Sequence, residues 1–194
     1  MSVRAAATEV TRDRIVAAAQ DAFMSQWYDD VTVRGIAASA GVALQTVLNH
    51  FPSKEALCAA ANERLAGSIE SARFSVEPGD ILGAITTLVD DYERTGDASL
   101  KMLAVEERVP AVQPWIALGR QGHQRWCEQV FASALDGRTG RRRARRLAQL
   151  VVATDVYTWK LLRRDKGLRR SETITAMREL VVALHDRNGE ETAE

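Results

Sequence analysis

The sequence predicts an all-α protein with about nine helices, in which an N-terminal three-helix helix-turn-helix head precedes a helical body. Apolar residues recur at intervals of three and four along most of the 194 residues, which is the spacing of amphipathic helices. No stretch shows the alternation that is typical of a strand. Between residues 32 and 51, two short helical patterns flank Gly41, whose tolerance of positive φ suits a tight inter-helix turn. We assign the head to residues 1–52, a connecting helix to 53–74, and the body to 75–194.

Composition limits the class of protein without identifying it. A hydrophobic content of 46% is sufficient for a packed core, and a formal net charge of +0 gives no overall attraction to nucleic acid. Cys58 and Cys127 are far apart and form neither a disulfide framework nor a paired metal motif, as expected in a reducing cytosol. No apolar run approaches the ~20 residues that span a membrane, and the N-terminus lacks a signal-peptide core. We therefore predict a cytoplasmic protein with no membrane partner.

Four helices are predicted in the head and the connecting segment. The first extends from Thr11, as N-cap, to about Gln26, and the residues before it form a loose arm. The second starts after Thr32, and the third covers about Leu44 to Asn49. The fourth, from Lys54 to about Phe74, forms one stiff rod between head and body.

The body is predicted to contain five further helices. A break at Glu77-Pro78-Gly79-Asp80 separates them from the rod. Their predicted bounds are Ile81 to Arg94 (ended by Gly96-Asp97), Ser99 to Val109, Pro114 to Leu135, Arg141 to Arg164, and Ser171 to His185.

The short helices around Gly41 resemble the DNA-binding domain of the TetR family. The residues that carry the resemblance are Thr32-Val33-Arg34, Ile36-Ala37, Ala40-Gly41-Val42, Thr46-Val47, His50-Phe51-Pro52 and Ser53-Lys54-Glu55-Ala56-Leu57. The match extends from about Thr11 to about Leu65, whereas the remainder is similar only in helical layout. The family consists of bacterial repressors that release their operators when a small ligand binds.

The resemblance assigns five residues to the DNA backbone. The helix that begins at Thr32, with Arg34 in its first turn, would direct free N–H groups at a phosphate. Thr46 and His50 match family positions that bind phosphates. Lys54 starts the fourth helix and is placed to meet another phosphate.

Four outward residues of the third helix are the candidates for base recognition. Gln45 and Asn49 carry amides that can bond adenine N6 and N7 together, and Leu44 or Leu48 can contact a thymine methyl group. The family most often has tyrosine at the position of Leu48, so a backbone contact is lost there and affinity or register should change. Residues 11–65 contain five basic and six acidic residues, which predicts a shallow salt dependence of binding.

The last two helices are the predicted dimer interface. The helix from Arg141 to Arg164 is apolar most of the way round, so it must be buried on two sides. Two such helices from each of two chains would form a four-helix interface with two-fold symmetry, and the family dimerises in this way. The candidate interface residues are Leu147, Leu150, Val151, Thr154, Leu161, Ile174, Met177, Leu180, Val181 and Leu184.

The resemblance also implies a cavity for a small molecule in the body. The candidate lining residues are Tyr92, Met102, Trp115, Gly119, His123, Trp126 and Tyr157, with Glu106, Arg120 and Asp155 as polar anchors. Residues of these types equally form helical cores. His123 and Cys127 share a helix face, but no further Cys or His completes a ligand set, so we predict neither a metal nor a cofactor.

Two basic runs have no assigned partner. Six arginines lie within Arg138 to Arg146, and a second run covers Arg163-Arg164 and Lys166 to Arg170. The runs are ~30 Å apart along one predicted helix, so at most one can lie near DNA. The alternative is that they serve solubility and favourable placement of cations near helix ends.

The predicted function is a ligand-responsive transcriptional repressor. It would bind a pseudo-palindromic double-stranded operator as a homodimer and be released by a small, apolar or aromatic effector. A transcriptional activator or a ligand-independent DNA-binding regulator remains an alternative. An all-helical enzyme is the remote alternative, because the chain has three histidines, no Gly-x-Ser-x-Gly motif and no phosphate-binding glycine loop.

Overall fold

The computed structural model describes residues 3–186, and all regular structure within this range is helical. The prediction of an all-α fold is therefore confirmed. The helices are α1 (Val3–Ser25), α2 (Val33–Ser39), α3 (Leu44–His50), α4 (Lys54–Arg73), α5 (Ile81–Leu103), α6 (Gln113–Val130), α7 (Gly140–Thr154), α8 (Val156–Lys160) and α9 (Arg170–Asp186). Short 3-10 turns occupy Pro110–Val112 and Ala132–Ala134, and a π-helical turn at Leu161–Asp165 follows α8.

The described residues form two compact units that are not consecutive in the chain. The first combines the residues up to Ser68 with Ala98–Ala117, and the second combines Ile69–Asp97 with the residues from Leu118 onward. Helices α4, α5 and α6 therefore each contribute to both units. The functional division into head, connecting helix and body stays a prediction.

Helix α1 begins at Val3, eight residues earlier than predicted. Thr11 lies inside the helix, where its hydroxyl donates to the carbonyl oxygen of Ala7 at 3.0 Å, so it is not an N-cap. A threonine inside a helix can satisfy its hydroxyl in this way, and the alanines at residues 5–7 favour helix. The predicted loose arm is thus wrong for residues 3–10, although the Arg4 side chain lies outside the described part.

Helix α5 continues through Gly96-Asp97, where the sequence predicted its end. A Cβ atom at position 96 would lie 2.5 Å from Cζ3 of Trp159. The glycine therefore allows the indole of Trp159 to approach the helix, and it does not terminate it. The separate helix predicted from Ser99 to Val109 is wrong for the same reason.

The long helix predicted from Arg141 to Arg164 breaks at Asp155. The backbone of Asp155 is extended (φ −72°, ψ 154°), and its carboxylate accepts a hydrogen bond from the Tyr157 N–H at 2.9 Å. This is N-cap geometry, so a new helix starts at Val156. Upstream, α6 ends at Val130, before the predicted Leu135.

One apolar core holds the first unit together. From the N-terminal part it includes Ile15, Ala19, Phe23, Tyr28, Ile36, Val47, Phe51 and Leu57, and from the second segment Val105, Val112 and Ile116. The Tyr28 ring packs into this core, and only 7% of the residue is exposed.

A buried ion pair organises the second unit. Arg73, the last residue of α4, donates from Nε to Oδ2 of Asp91 at 3.0 Å, and Asp91 is only 2% exposed. The guanidinium carbon of Arg73 lies 5.1 Å from the centre of the Tyr92 ring and 5.9 Å from that of Trp126. The Trp126 indole N–H donates to the carbonyl oxygen of Arg73 at 3.2 Å. Removing one member of such a pair typically lowers the free energy of unfolding by about 3–5 kcal/mol, because the other charge stays buried without its partner.

His123 completes what we name the Arg73 cluster (Arg73, Asp91, Tyr92, His123, Trp126 and Thr154). Its Nδ1 lies 3.4 Å from Nη1 of Arg73, and its Nε2 lies 3.0 Å from Oγ1 of Thr154. Burial, together with the charge of Arg73, lowers the pKa of His123 to about 3. The ring is therefore neutral, with Nδ1 accepting from Arg73 and Nε2–H donating to Thr154. The Thr154 hydroxyl in turn donates to the carbonyl oxygen of Leu150 at 2.8 Å.

We predict that His123 makes the protein less stable at mildly acidic pH. The pKa of His123 is about 3 in the folded chain and about 6.5 in the unfolded chain. Below pH 6.5 the unfolded chain therefore gains a proton that the folded chain does not, and stability falls by about 1.4 kcal/mol per pH unit. Between pH 7 and pH 5, the wild type should lose up to about 2 kcal/mol more than His123→Gln, as measured by urea unfolding. Equal losses in the two proteins would contradict the prediction.

Candidate nucleic-acid interface

The turn between α2 and α3 has the geometry of a helix-turn-helix. Thr32 is the N-cap of α2, and its hydroxyl oxygen accepts from the Gly35 N–H at 3.0 Å. Gly41 has φ +63°, which confirms that the turn needs a left-handed residue. Arg14 of α1 donates from Nη2 to the carbonyl oxygen of Ala40 at 2.6 Å and so supports the end of α2.

Helix α3 is anchored on one side and open on the other. Val47 is fully buried in the core, whereas Gln45, Leu48 and Asn49 are exposed and Leu44 is half-buried. Nε2 of Gln45 donates to Oδ1 of Asn49 at 3.0 Å. This bond orients both amides, so that the Asn49 nitrogen and the Gln45 oxygen stay available to a partner. The outer face thus offers an oriented donor and an oriented acceptor.

The candidates for contact with the DNA backbone differ in their exposure. Thr32 and Arg34 are exposed, and Thr46, His50 and Lys54 are half-buried.

Lys54 is held in place by its surroundings. Its Nζ donates to the carbonyl oxygen of Asp29 at 3.3 Å and lies 4.3 Å from the centre of the Tyr28 ring. The Tyr28 hydroxyl donates to Glu55 at 3.3 Å, and burial raises the pKa of Tyr28 to about 12, so the phenol is neutral. Ser53 accepts from the Ala56 N–H at 3.2 Å and is the N-cap of α4. The lysine ammonium is therefore pre-oriented at the start of α4.

Two supporting arginines, Arg14 and Arg108, could not be predicted from the residues around them. Arg14 is distant in sequence from the carbonyl of Ala40 that it binds. Arg108 is still further from Asp29, with which it forms an ion pair at 2.6 Å. Neither interaction follows from helical periodicity or from the helix-turn-helix pattern.

The second unit contains seven of the predicted ligand contacts, of which five are Tyr92, His123, Trp126, Asp155 and Tyr157. Tyr92, His123 and Trp126 are brought together in the Arg73 cluster. Asp155 is the N-cap of α8, and the Tyr157 side chain is 52% exposed. The structure thus groups three of these five side chains.

The other predicted ligand contacts are not part of that cluster. Gly119 and Arg120 are exposed on α6. Met102, Glu106 and Trp115 are half-buried and belong to the first unit, where Met102 packs against the apolar core. A role for any of these residues in ligand binding stays a prediction.

The predicted interface residues on α7 to α9 divide into buried and exposed groups. Leu150, Thr154, Met177 and Val181 are fully buried, so they form the core of their own unit and have no surface for a partner. Leu147 and Ile174 are also buried, and Val151 and Leu184 are half-buried. The large apolar side chains left exposed in this region are Val152, Tyr157, Leu161 and Leu180. Periodicity showed that these helices have two apolar sides, but it did not show which side faces the chain's own core.

The second basic run forms ion pairs with the acidic residues of α5. Arg163 binds Glu93 at 2.8 Å and Arg164 binds Asp97 at 3.0 Å, and Arg170 pairs with Asp90. These pairs favour a structural role for this run. In the first run, Arg146 is buried and donates to the carbonyl oxygen of Leu184, whereas Arg141 to Arg143 and Arg145 are exposed.

Residues 3–186 contain no group of three or more His, Cys, Asp or Glu side chains placed to hold a metal ion. Within the same range, no helix combines the length and the apolar character needed to cross a bilayer.

Comparison with known proteins places the helix-turn-helix in a family. Residues 15–61 match the model of the bacterial regulatory proteins, tetR family. No curated protein matches the chain in sequence.

Solved structures of similar fold cover most of the chain. A tetR-family transcriptional regulator from Streptomyces coelicolor has a TM-score of 0.76 at 20% identity, covering 95% of this chain and 82% of that one. A TetR-family regulator from Mesorhizobium loti has a TM-score of 0.69 at 18% identity, covering 93% and 97%. The multidrug binding protein EbrR, complexed with imidazole, has a TM-score of 0.62 at 20% identity, covering 89% and 88%. Residues 15–61 therefore match a DNA-binding domain of the tetR-family type, and the fold of the described chain is similar to that of solved transcriptional regulators.

Proposed function

We propose that the protein is a transcriptional repressor. It binds a pseudo-palindromic operator as a homodimer in the cytoplasm, and a small apolar or aromatic effector releases it. The observation that carries the proposal is the outer face of α3, where the exposed amides of Gln45 and Asn49 are oriented above the fully buried Val47.

The proposed contact with DNA follows from the shape and chemistry of that face. The major groove admits a helix, and its base edges present donors and acceptors to side-chain amides. Leu48 is 36% exposed between the two amides and can contact a thymine methyl group. The proposed phosphate contacts set the register but carry no sequence information, and they are Thr32, Arg34, Thr46, His50 and Lys54.

The proposed homodimer rests on an exposed apolar surface. Val152, Tyr157, Leu161 and Leu180 are between 46% and 66% exposed, and they follow one another along α7 to α9. Such groups of large apolar side chains are typical of protein interfaces. A second copy that covers them with two-fold symmetry would present two α3 helices to one face of a duplex.

The proposed effector site lies around the Arg73 cluster. There the last residue of α4 meets the rings of Tyr92, His123 and Trp126. Because Lys54 begins the same helix, a ligand that displaces Arg73 also perturbs the helix that carries Lys54. The imidazole complex of EbrR, which has a similar fold, supports a small ring compound as the effector class.

We predict that substitutions in the two proposed contact groups have different effects. Gln45→Ala should remove about 1–3 kcal/mol of the binding free energy that discriminates between bases at the position Gln45 contacts, and so relax sequence preference there. Lys54→Ala should weaken binding to all sequences alike and reduce the salt slope by about 1, since one phosphate contact is lost. Titration of matched and mismatched duplexes at several salt concentrations measures both effects.

Gln121→Ala, which removes an exposed amide from α6, is the matched control and should bind as the wild type does. Unchanged affinity in both Gln45→Ala and Lys54→Ala would show that α3 is not the DNA-binding helix.

We also predict that the effector and the operator weaken each other's binding equally. A saturating aromatic effector should weaken operator binding tenfold to a hundredfold, which corresponds to a coupling of about 1.4–2.7 kcal/mol. By linkage, saturating operator DNA should weaken effector binding by the same factor. Calorimetric titration of the effector with and without operator measures this factor. A compound that binds equally well with and without operator DNA is not the effector. If no bound compound releases the protein from its operator, the ligand-independent alternative is favoured.

A further inference from the structure

The segment from Ala98 to Ala117 belongs to the same compact unit as the helix-turn-helix. Its side chains Val105, Val112 and Ile116 are buried in the core that also holds Val47 and Phe51. The DNA-binding unit is therefore larger than the 15–61 match to the family model. Part of its support comes from the end of α5 and the start of α6.

One ion pair joins this segment to the turn between α1 and α2. Nη1 of Arg108 donates to Oδ1 of Asp29 at 3.1 Å, and Nη2 donates to Oδ2 at 2.6 Å. This two-pronged geometry fixes the carboxylate in orientation as well as in distance. The hydrogen bond from Arg108 also lowers the pKa of Asp29. The pair is well exposed, with side-chain exposures of 59% and 57%.

Asp29 also contacts a residue of the proposed DNA surface. Its carbonyl oxygen accepts the Lys54 ammonium at 3.3 Å, next to the Tyr28 ring on which Lys54 lies. On the other side of the turn, Lys101 donates to the carbonyl oxygen of Ser25 at 2.9 Å. The turn is thus held by Lys54 from α4 and by Arg108 and Lys101 from the second segment.

We propose that Arg108 is a positioning residue for DNA binding. It holds the α1–α2 turn through the Asp29 carboxylate, and the Asp29 carbonyl in turn holds Lys54 in place for a phosphate. This inference rests on the proposed contact between Lys54 and the DNA backbone. Arg108 lies far outside the helix-turn-helix sequence, so the motif alone assigns it no such role.

The exposure of the pair determines the size of the expected effect. Exposed ion pairs contribute little to stability, so the melting temperature of Arg108→Gln should change little. Operator affinity should fall by up to about fivefold for each bound head. Arg108→Lys keeps the charge but loses the two-pronged geometry, so its affinity should lie between those of the wild type and Arg108→Gln.

A double-mutant cycle tests the proposal. Operator affinity is measured for Asp29→Arg, Arg108→Asp and the double variant, on a duplex selected by the wild-type protein from a random pool. A positioning role predicts that each single change weakens binding and that the double change recovers most of the loss, because the pair is restored with reversed charges. A purely long-range charge effect predicts that Asp29→Arg strengthens binding and that the two effects add. Additive effects would overturn the proposal.

Two controls separate this role from its alternatives. Arg64→Gln removes the same charge from an exposed arginine of α4 in the same unit and should leave affinity unchanged. If it weakens binding as much as Arg108→Gln, net charge explains the effect and the proposal is wrong. If Lys54→Ala weakens binding but Arg108→Gln does not, the positioning role alone fails. If Lys54→Ala has no effect, the proposed DNA surface fails as well.

Discussion

The seven-residue helix α3 has no stability of its own, and the first unit is built around that constraint. The few hydrogen bonds of so short a helix hardly offset the backbone conformational entropy lost when the helix forms. Helix α3 must therefore be held by its neighbours. Val47 is its single fully buried side chain, and Gly41 and Phe51 fix the chain at either end of it. The core that holds Val47 also includes Val105, Val112 and Ile116 from a distant segment. The exposed amides are rigidly presented only as long as this support is intact.

Helix α4 contributes to both units, and each of its ends is held by contacts with other residues. It begins at Lys54, beside the candidate DNA surface, and ends at Arg73, which forms a buried ion pair with Asp91. A buried guanidinium tolerates little displacement, because its hydrogen bonds and the two aromatic rings beside it define one position. Helix α4 is continuous from Lys54 to Arg73, and its Arg73 end is fixed by these contacts.

Features determined by neighbouring residues were predictable from the sequence, and features determined by distant residues were not. The N-caps Thr32 and Ser53 and the positive φ of Gly41 each depend on a few adjacent residues. Gly96 was interpreted as a helix end because its real neighbour, the Trp159 indole, is far away in the chain. The pair between Arg108 and Asp29 escaped prediction for the same reason. On α7 to α9 the sequence showed two apolar sides, but only the packing showed that Leu150 and Met177 face inward while Leu180 faces outward.

Hydroxyl-radical footprinting on a duplex selected by the protein tests the central claim most directly, namely that two α3 helices bind one face of DNA together. The account predicts two protected patches on the same face of the duplex, with centres about 10–10.5 base pairs, or ~34–36 Å, apart. A single protected patch bound by one chain, or protection without a preferred face, would contradict it.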